Sequence, residues 1–262
     1  MMFDVRTILF ISLMIDVICT IVMVLLWYFS RKRFAGTTFW VADFAFQTSG
    51  MLLIMLRTGL PEWMSVVLSN TLIVSGAILG FIGLERFLGK RGPQVQNVLL
   101  LFIFICSFSY FTFIDPSLTS RNLLLSLGLL TVCFQCAWLL LHRAESGLST
   151  FTRFVGIVFL LYSLVSLARI IEVLIFPSPN DLFQSRARDT IFIVAYQMLF
   201  ILLMYGLSLM VNIRLFSDLR IQEDKLLKAF HASPNAILLT RLSNGEILKI
   251  NDGFRRIALG EA

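Results

Sequence analysis

The stretch ILFISLMIDVICTIVMVLLWYF, residues Ile8–Phe29, is followed almost at once by Arg31-Lys32-Arg33 and decides the fold class of this chain. A helix needs roughly 20 mostly apolar residues to cross the hydrocarbon core of a bilayer, and this run contains only one charge, Asp16. The run is too long for the apolar core of a signal peptide, and no small-residue cleavage site follows it. It therefore predicts a retained membrane-spanning helix with a basic cluster at its end.

Six further apolar runs of similar length follow, separated by short connectors with turn residues. The composition agrees, because 58% hydrophobic and 15% charged residues leave too little polar surface for a water-soluble domain of 262 residues. We therefore predict an all-α polytopic bundle of seven transmembrane helices over residues 1–213, with the lipid bilayer as its partner. The further runs are Phe39–Leu56, Met64–Leu88, Val95–Ile114, Asn122–Leu141, Phe154–Phe176 and Thr190–Ile213.

Basic residues between the runs predict the orientation of the chain. With the N-terminus outside, the inner loops carry eight Lys or Arg residues and the outer segments carry five, so the positive-inside rule favours this arrangement. The net charge of +6 is spread over these short groups and forms no basic stripe, so no nucleic-acid partner is predicted. The inner residues are Arg31, Lys32, Arg33, Arg86, Lys90, Arg91, Arg143 and Arg153, and the outer ones are Arg6, Arg57, Arg121, Arg186 and Arg188.

Charged residues inside a bilayer are costly and are candidates for function. Asp16 in the first run and Arg169 in the sixth fall at similar depth, so we predict that they pair, with Glu172 as a further member. Arg169 and Glu172 are three residues apart on one helix and could also satisfy each other alone. The cluster is either structural or functional.

Other polar residues in the runs have a structural interpretation. Asp43 and Gln47 are predicted near the cytoplasmic interface, with Asp43 meeting a neighbouring basic residue. Cys133 and Cys136 have C-x-x-C spacing, but further ligands are missing, so no metal site is predicted. Amide side chains are expected to form hydrogen bonds between helices, namely those of Asn70, Gln135 and Gln197.

The tail after the last run has a different pattern. Residues 214–229 predict a cytoplasmic signalling helix, and their apolar spacing fits either a short coiled coil or an ordinary amphipathic helix. Two strands, Ala236–Leu242 and Glu246–Ile250, are predicted around an Asn244-Gly245 turn in which both residues need positive φ. Asn251 is then a good N-cap for a further helix. The apolar seam consists of Leu215, Leu219, Gln222, Leu226 and Ala229.

The tail resembles the opening of a bacterial PAS domain in the order and spacing of its motif residues. The resemblance covers about the last 35 residues, so it implies a PAS domain whose N-terminal part is residues 230–262 and whose remainder lies beyond Ala262. Any haem or flavin pocket of that domain would lie there too, so no cofactor is expected in this chain. The motif residues are Pro234, Asn244, Gly245, Asn251 and Phe254.

A second resemblance covers the second and third runs. The segments 50–63, Leu68–Leu72 and 80–89 are similar to the membrane input regions of bacterial diguanylate cyclases, where PAS and GGDEF domains commonly follow. The resemblance implies a sensory input region in the bacterial inner membrane, which acts as a homodimer and relays a signal to a GGDEF output that produces cyclic di-GMP.

Other functions stay open at the level of the sequence. The output domain could be a histidine kinase, and a transporter or channel is the rival from another class, although no proline interrupts any run. No catalytic motif occurs in this chain, so any enzymatic activity would belong to a domain beyond it. The stimulus could be a small apolar ligand, a membrane property or a partner protein.

Overall fold

The computed structural model describes residues 5–142, 149–176 and 187–259. Seven of its helices are long and apolar enough to cross a membrane, which confirms the predicted number of spans and identifies a multi-pass membrane protein. The turn predicted at 177–180 and the basic residues Arg143 and Arg186 lie outside the described residues. The helices are α1 (Val5–Ser30), α2 (Thr37–Met55), α3 (Ser69–Phe87), α4 (Val95–Phe113), α5 (Leu118–His142), α6 (Ser149–Ile175) and α7 (Ala187–Ala232).

Large apolar side chains cover the outside of the seven helices. In α4, Val95 is 75% exposed and Phe102 is 64% exposed, and in α1 Ile18 is 60% exposed. A water-soluble protein rarely presents such continuous apolar surface, whereas hydrocarbon tails solvate it well. The bundle is therefore apolar outside, and its buried polar side chains lie within. We use "the N-terminal face" for the end of the bundle at which α1, α3, α5 and α7 begin.

Helices α2 and α3 pack against each other along a line of small residues. A Cβ atom added to Gly50 would lie 2.7 Å from the carbonyl oxygen of Ser69, and one added to Gly36 would collide with the carbonyl oxygen of Gly83. Close backbone approach at glycines is how helices gain packing energy inside a membrane, where the hydrophobic effect does not drive their association. The rings of Trp40 and Phe87 seal the same interface, with centroids 5.1 Å apart.

A π-helical segment, Trp63–Leu68, leads into α3. Its wider turn shifts the backbone register, so carbonyl groups lose their usual partners and side chains replace them. Ser69 Oγ donates to the carbonyl oxygen of Ser65 at 2.8 Å, and Asn70 Nδ2 donates to that of Val66 at 2.7 Å. Asn70 thus bonds within its own helix, and the interhelical bond predicted for it is wrong.

Helix α7 is one continuous helix of 46 residues. The sequence suggested a span that ends at Ile213 and a separate helix from 214 to 229, but both belong to α7. Nothing between Leu207 and Ala232 breaks the helix, since the next glycine or proline is Pro234. Contacts divide the chain into two compact units, Met1–Met210 and Val211–Ala262.

The second unit contains the hairpin that the tail predicts. Strands β1 (Leu238–Thr240) and β2 (Ile247–Ile250) pair in an antiparallel ladder with an irregularity after Leu239. Both strands are shorter than expected because the turn is longer: Arg241 and Glu246 pair, and the four residues between them form the loop. Only Gly245 has positive φ, at 69°, so the two-residue turn with positive φ at Asn244 is wrong.

Candidate functional site

A cavity of about 270 Å³ lies inside the first unit, and all seven spans contribute to its lining. Its walls are mainly apolar, but polar and charged side chains from six helices face into it. Such a cavity is the usual form of a small-molecule site, namely an apolar concavity with a few converging polar groups. The polar lining includes Asp16, Asp43, Gln47, Arg57, Asn70, Arg121, Ser126, Tyr162, Arg169, Asp189, Tyr196 and Gln197.

One face of α7 forms a wall of this cavity. Its lining residues recur every three or four positions, which is the spacing of a single helical face. The stripe begins at Asp189 in the first turn of the helix and ends at Leu203. It consists of Asp189, Phe192, Ile193, Tyr196, Gln197, Phe200 and Leu203.

Asp16 is joined to α7 rather than to α6. Its Oδ1 atom accepts a hydrogen bond of 2.9 Å from Gln197 Nε2, and both residues are buried. The predicted pair of Asp16 with Arg169 is therefore wrong, whereas the interhelical hydrogen bond predicted for Gln197 is confirmed. The sequence places Asp16 and Arg169 at similar depth, but depth does not tell which helices are neighbours. In the bundle Asp16 faces α7, and its partner is the amide group of Gln197.

Arg169 is the centre of a separate ion cluster near the N-terminal face. Its guanidinium lies 3.2 Å from a carboxylate oxygen of Glu172 and forms an ion pair with Asp189 of α7. The guanidinium also lies 4.9 Å from the ring centroid of Phe192, within range of a cation–π interaction. The Arg169–Glu172 pair is as predicted. The predicted seventh run begins at Thr190, so Asp189 counted as a connector residue. An acidic residue directly before a span is the signal that could have identified Asp189 as a partner of Arg169.

Two tyrosines also fasten α6 to α7. Tyr162 donates a hydrogen bond of 3.1 Å to the carbonyl oxygen of Tyr196, and Tyr196 donates one of 3.1 Å to Ser166 Oγ. The two rings stack with centroids 5.9 Å apart. Their apolar bodies and polar tips suit a cavity wall inside a membrane, although neither tyrosine belongs to a motif that the sequence reveals.

Asp43 and Gln47 lie in the bundle interior. Gln47 Nε2 donates to Asp43 Oδ1 at 3.3 Å, and the Asp43 carboxyl packs against Gly76 and Gly80. Asp43 is only 5% exposed, so it packs inside the bundle, and no described basic residue forms the predicted ion pair with it. The glycines of α3 create the space that admits this carboxyl group.

Arg121 has an unusual environment in the first turn of α5. It is only 6% exposed, and its Nε atom has no hydrogen-bond partner among the described residues. The charges of Arg57 and Glu62 act on it from the segment that joins α2 to the π-helical turn. At the level of the sequence, Arg121 and Arg57 are only markers of orientation, but both line the cavity.

The cysteine pair and the remaining amide take ordinary structural positions. Cys133 and Cys136 are free and buried in α5, and Gln135 accepts a hydrogen bond of 3.5 Å from Gln96 of α4. Within 5–142, 149–176 and 187–259, no three His, Cys, Asp or Glu side chains group closely enough to hold a metal ion.

Asn251 organises the motif residues of the second unit. Its Oδ1 atom accepts hydrogen bonds of 2.8 Å from the backbone N–H groups of Ile237 and Phe254, and its Nδ2 atom donates to the carbonyl oxygen of Asn235 at 2.8 Å. It caps the last helix, α8 (Asp252–Leu259), as predicted. Pro234 follows the end of α7, and Gly245 closes the hairpin loop.

Comparison with known proteins does not place the chain in a family. No protein-family model, no curated protein and no solved structure matches it. The resemblances to PAS domains and to diguanylate cyclase input regions therefore stay predictions. A function can be proposed from the cavity, which has charged side chains near the N-terminal face of the bundle and a wall formed by α7.

Proposed function

We propose that this chain is the membrane-embedded sensory input region of a bacterial signal-transduction protein. The single observation that carries the proposal is α7, because the helix that forms a cavity wall from Asp189 to Leu203 is the same helix that continues to Ala232. A change in the cavity acts directly on α7, and the helix continues without a break to Ala232, with five residues between it and the hairpin.

A receptor of this kind needs two arrangements of the bundle that a stimulus populates differently. The polar contacts of α7 suit that role, since each is a specific hydrogen bond or ion pair with one neighbouring helix. The Asp16–Gln197 hydrogen bond joins α7 to α1, and the Arg169–Asp189 ion pair joins it to α6. Occupancy of the cavity would change these contacts and thereby favour one position of α7 over another.

The proposed relay runs through a PAS domain to a diguanylate cyclase output. The hairpin, the Asn251 cap and α8 support a PAS-type opening, since they occur in the order that such a domain begins with. The GGDEF domain would be encoded after residue 262 and would produce cyclic di-GMP. A histidine kinase output is the alternative that the same input region could serve.

The proposal includes the bacterial inner membrane, an outer N-terminus and a cytoplasmic tail. The basic cluster after α1 supports this orientation, because positive residues are retained on the cytoplasmic side. A fluorescent protein fused after residue 262 should fluoresce, and alkaline phosphatase fused there should be inactive. Active phosphatase at that point would reverse the orientation.

The partner of the second unit would be another copy of the same chain. Leu219 is 45% exposed and Leu226 is 72% exposed on the final turns of α7, and apolar residues at this spacing form the seam of a parallel helix pair. Diguanylate cyclases and histidine kinases both act as dimers, so a dimer through this segment fits the proposed output.

The function is tested by the level of cyclic di-GMP in a bacterial host that expresses the complete gene product. We expect the wild type to raise this level and Asp16→Leu to change it by at least about fivefold. The variant leaves the buried Gln197 amide without its acceptor, and about 1 to 3 kcal/mol per unsatisfied group is enough to redistribute two states.

Asp115→Leu is the matched control, because Asp115 is exposed in the connector between α4 and α5. It should leave the cyclic di-GMP level unchanged.

A gene product that never alters cyclic di-GMP would contradict the proposed output, and phosphorylation of a histidine would then favour the kinase. Equal output from wild type and Asp16→Leu would contradict the sensory role of the cavity. Solute uptake that depends on Asp16 would favour a transporter instead.

A further inference from the structure

Arg121 is a buried cation without a described counter-charge. Arg169 nearby has Glu172 and Asp189 as partners, whereas none of the described carboxylates forms an ion pair with Arg121. Its Nε atom is buried and lacks a hydrogen-bond acceptor in the part of the chain that the structure describes. A buried guanidinium without an acceptor destabilises a membrane protein. A bound molecule that accepts a hydrogen bond from it would remove this loss.

The surroundings of Arg121 favour a negatively charged occupant. Arg57 lies close enough for its like charge to act on Arg121, and both side chains line the cavity. Glu62 acts on Arg121 with the opposite sign, but it is exposed to solvent, so its attraction is screened. An anion between the two guanidinium groups would relieve their repulsion and supply the acceptor that Nε lacks.

The rest of the cavity sets the size and polarity of the occupant. Apolar side chains such as Met51, Val66 and Phe108 line the wall beside the charged end. A volume of about 270 Å³ lies just below the roughly 300 to 1,000 Å³ that is usual for small-molecule sites, so the cavity suits a small ligand. The occupant should thus have on the order of ten non-hydrogen atoms, most of them apolar.

We propose that the cavity binds a small amphipathic anion, whose charged group lies between Arg57 and Arg121 and whose apolar part extends between the helices. This inference rests on the proposed function, since it names the class of ligand for the same input cavity. The anion is either a free carboxylate or the charged end of an anionic lipid, and both present the same chemistry to the arginines.

Octanoate is a suitable probe because it has a carboxylate and ten non-hydrogen atoms, and octanamide is its neutral counterpart of the same size. Calorimetric titration of the chain in nanodiscs of zwitterionic lipid, with empty nanodiscs subtracted, should detect octanoate binding. Octanamide should bind roughly tenfold to a hundredfold more weakly, as expected for the loss of a charge-assisted hydrogen bond.

Variants then locate the site. Arg121→Gln should weaken octanoate binding by roughly tenfold to a hundredfold, and Arg121→Lys should weaken it less because the charge is retained. Arg57→Gln changes a half-buried side chain, whereas Arg121 is buried, so it keeps the proposal testable if Arg121→Gln fails to fold. Arg91→Gln is the control, since Arg91 is exposed in the connector before α4.

Two arms distinguish the sources of the anion. If phosphatidylglycerol in the nanodiscs weakens octanoate binding in the wild type but not in Arg121→Gln, the occupant is a lipid anion; without such competition it is a free carboxylate. Absence of octanoate binding, equal binding of octanamide, or wild-type affinity for octanoate in both the Arg57→Gln and the Arg121→Gln variants would overturn the proposal. Loss of binding with unchanged cyclic di-GMP signalling would leave the proposed function standing.

Discussion

Replacement of Gly36 by alanine should destabilise the bundle by about 4 kcal/mol, as the sum of backbone strain and overpacking. Gly36 precedes α2 with φ of 104°, a conformation that residues with a side chain rarely adopt. The new Cβ atom would also collide with the carbonyl oxygen of Gly83 and lie 2.9 Å from the backbone nitrogen of Phe87. Both obstacles are backbone atoms of α3, so relief requires the helices to separate.

Thermal unfolding in detergent with a thiol-reactive dye measures this effect in a Cys106→Ser background, because Cys106 is exposed whereas Cys19, Cys133 and Cys136 are buried in the folded bundle. Gly89→Ala is the matched control: Gly89 also has positive φ, at 72°, but nothing lies within 4 Å of an added Cβ atom. It should lower the unfolding temperature much less. Equal losses in the two variants would show that strain alone acts and that the α2–α3 contact is looser than described.

Replacement of Asn251 by alanine should unfold the region from Ser233 to Leu259. The variant removes the N-cap of α8 and leaves the N–H group of Ile237 and the carbonyl group of Asn235 without partners. A lost cap costs about 1 kcal/mol, and each part-buried group that loses its partner adds at most about 1 to 3 kcal/mol. The free energy of unfolding of a hairpin with seven strand residues and one short helix is small, so these losses are enough to unfold it.

Hydrogen exchange at the amides of Ile237 and Phe254 reports this loss, and we expect both to exchange at least about a hundredfold faster. Asn244→Ala is the control, since Asn244 makes only exposed hydrogen bonds with Glu246. It should speed exchange by less than about tenfold. Retained protection in Asn251→Ala would mean that the hairpin is held by contacts other than the Asn251 network.

The spans could be predicted because a bilayer imposes one simple requirement on the backbone. Every polar group of the main chain must be satisfied within the lipid, so each crossing needs a long apolar helix, and the run Ile8–Phe29 shows this directly. The cap at Asn251 could be predicted for a similar reason, since its capping hydrogen bond to the N–H group of Phe254 is local. These features depend on residues that are close in the sequence.

The partners inside the bundle could not be predicted because they depend on which helices are neighbours. Asp16 and Gln197 are 181 residues apart, and periodicity contains no information about their contact. The π-helical segment Trp63–Leu68 has no sequence signature, although it determines which side chains of α3 face the cavity. Arg121 was assigned to an outer segment, because a single arginine at the end of a predicted span usually only indicates the orientation of the chain.

The central claim, that the cavity controls α7, is tested most directly by the distance between spin labels on two copies of the chain. A spin label is attached at Leu219→Cys, near the end of α7, in a Cys106→Ser background that removes the exposed native thiol. Pulsed electron–electron double resonance in nanodiscs then measures the distance between the labels of the two copies. We expect octanoate to shift the distance distribution in this background and to leave it unchanged when Arg121→Gln is added. An identical distribution with and without saturating octanoate, in protein that calorimetry shows to bind it, would contradict the account.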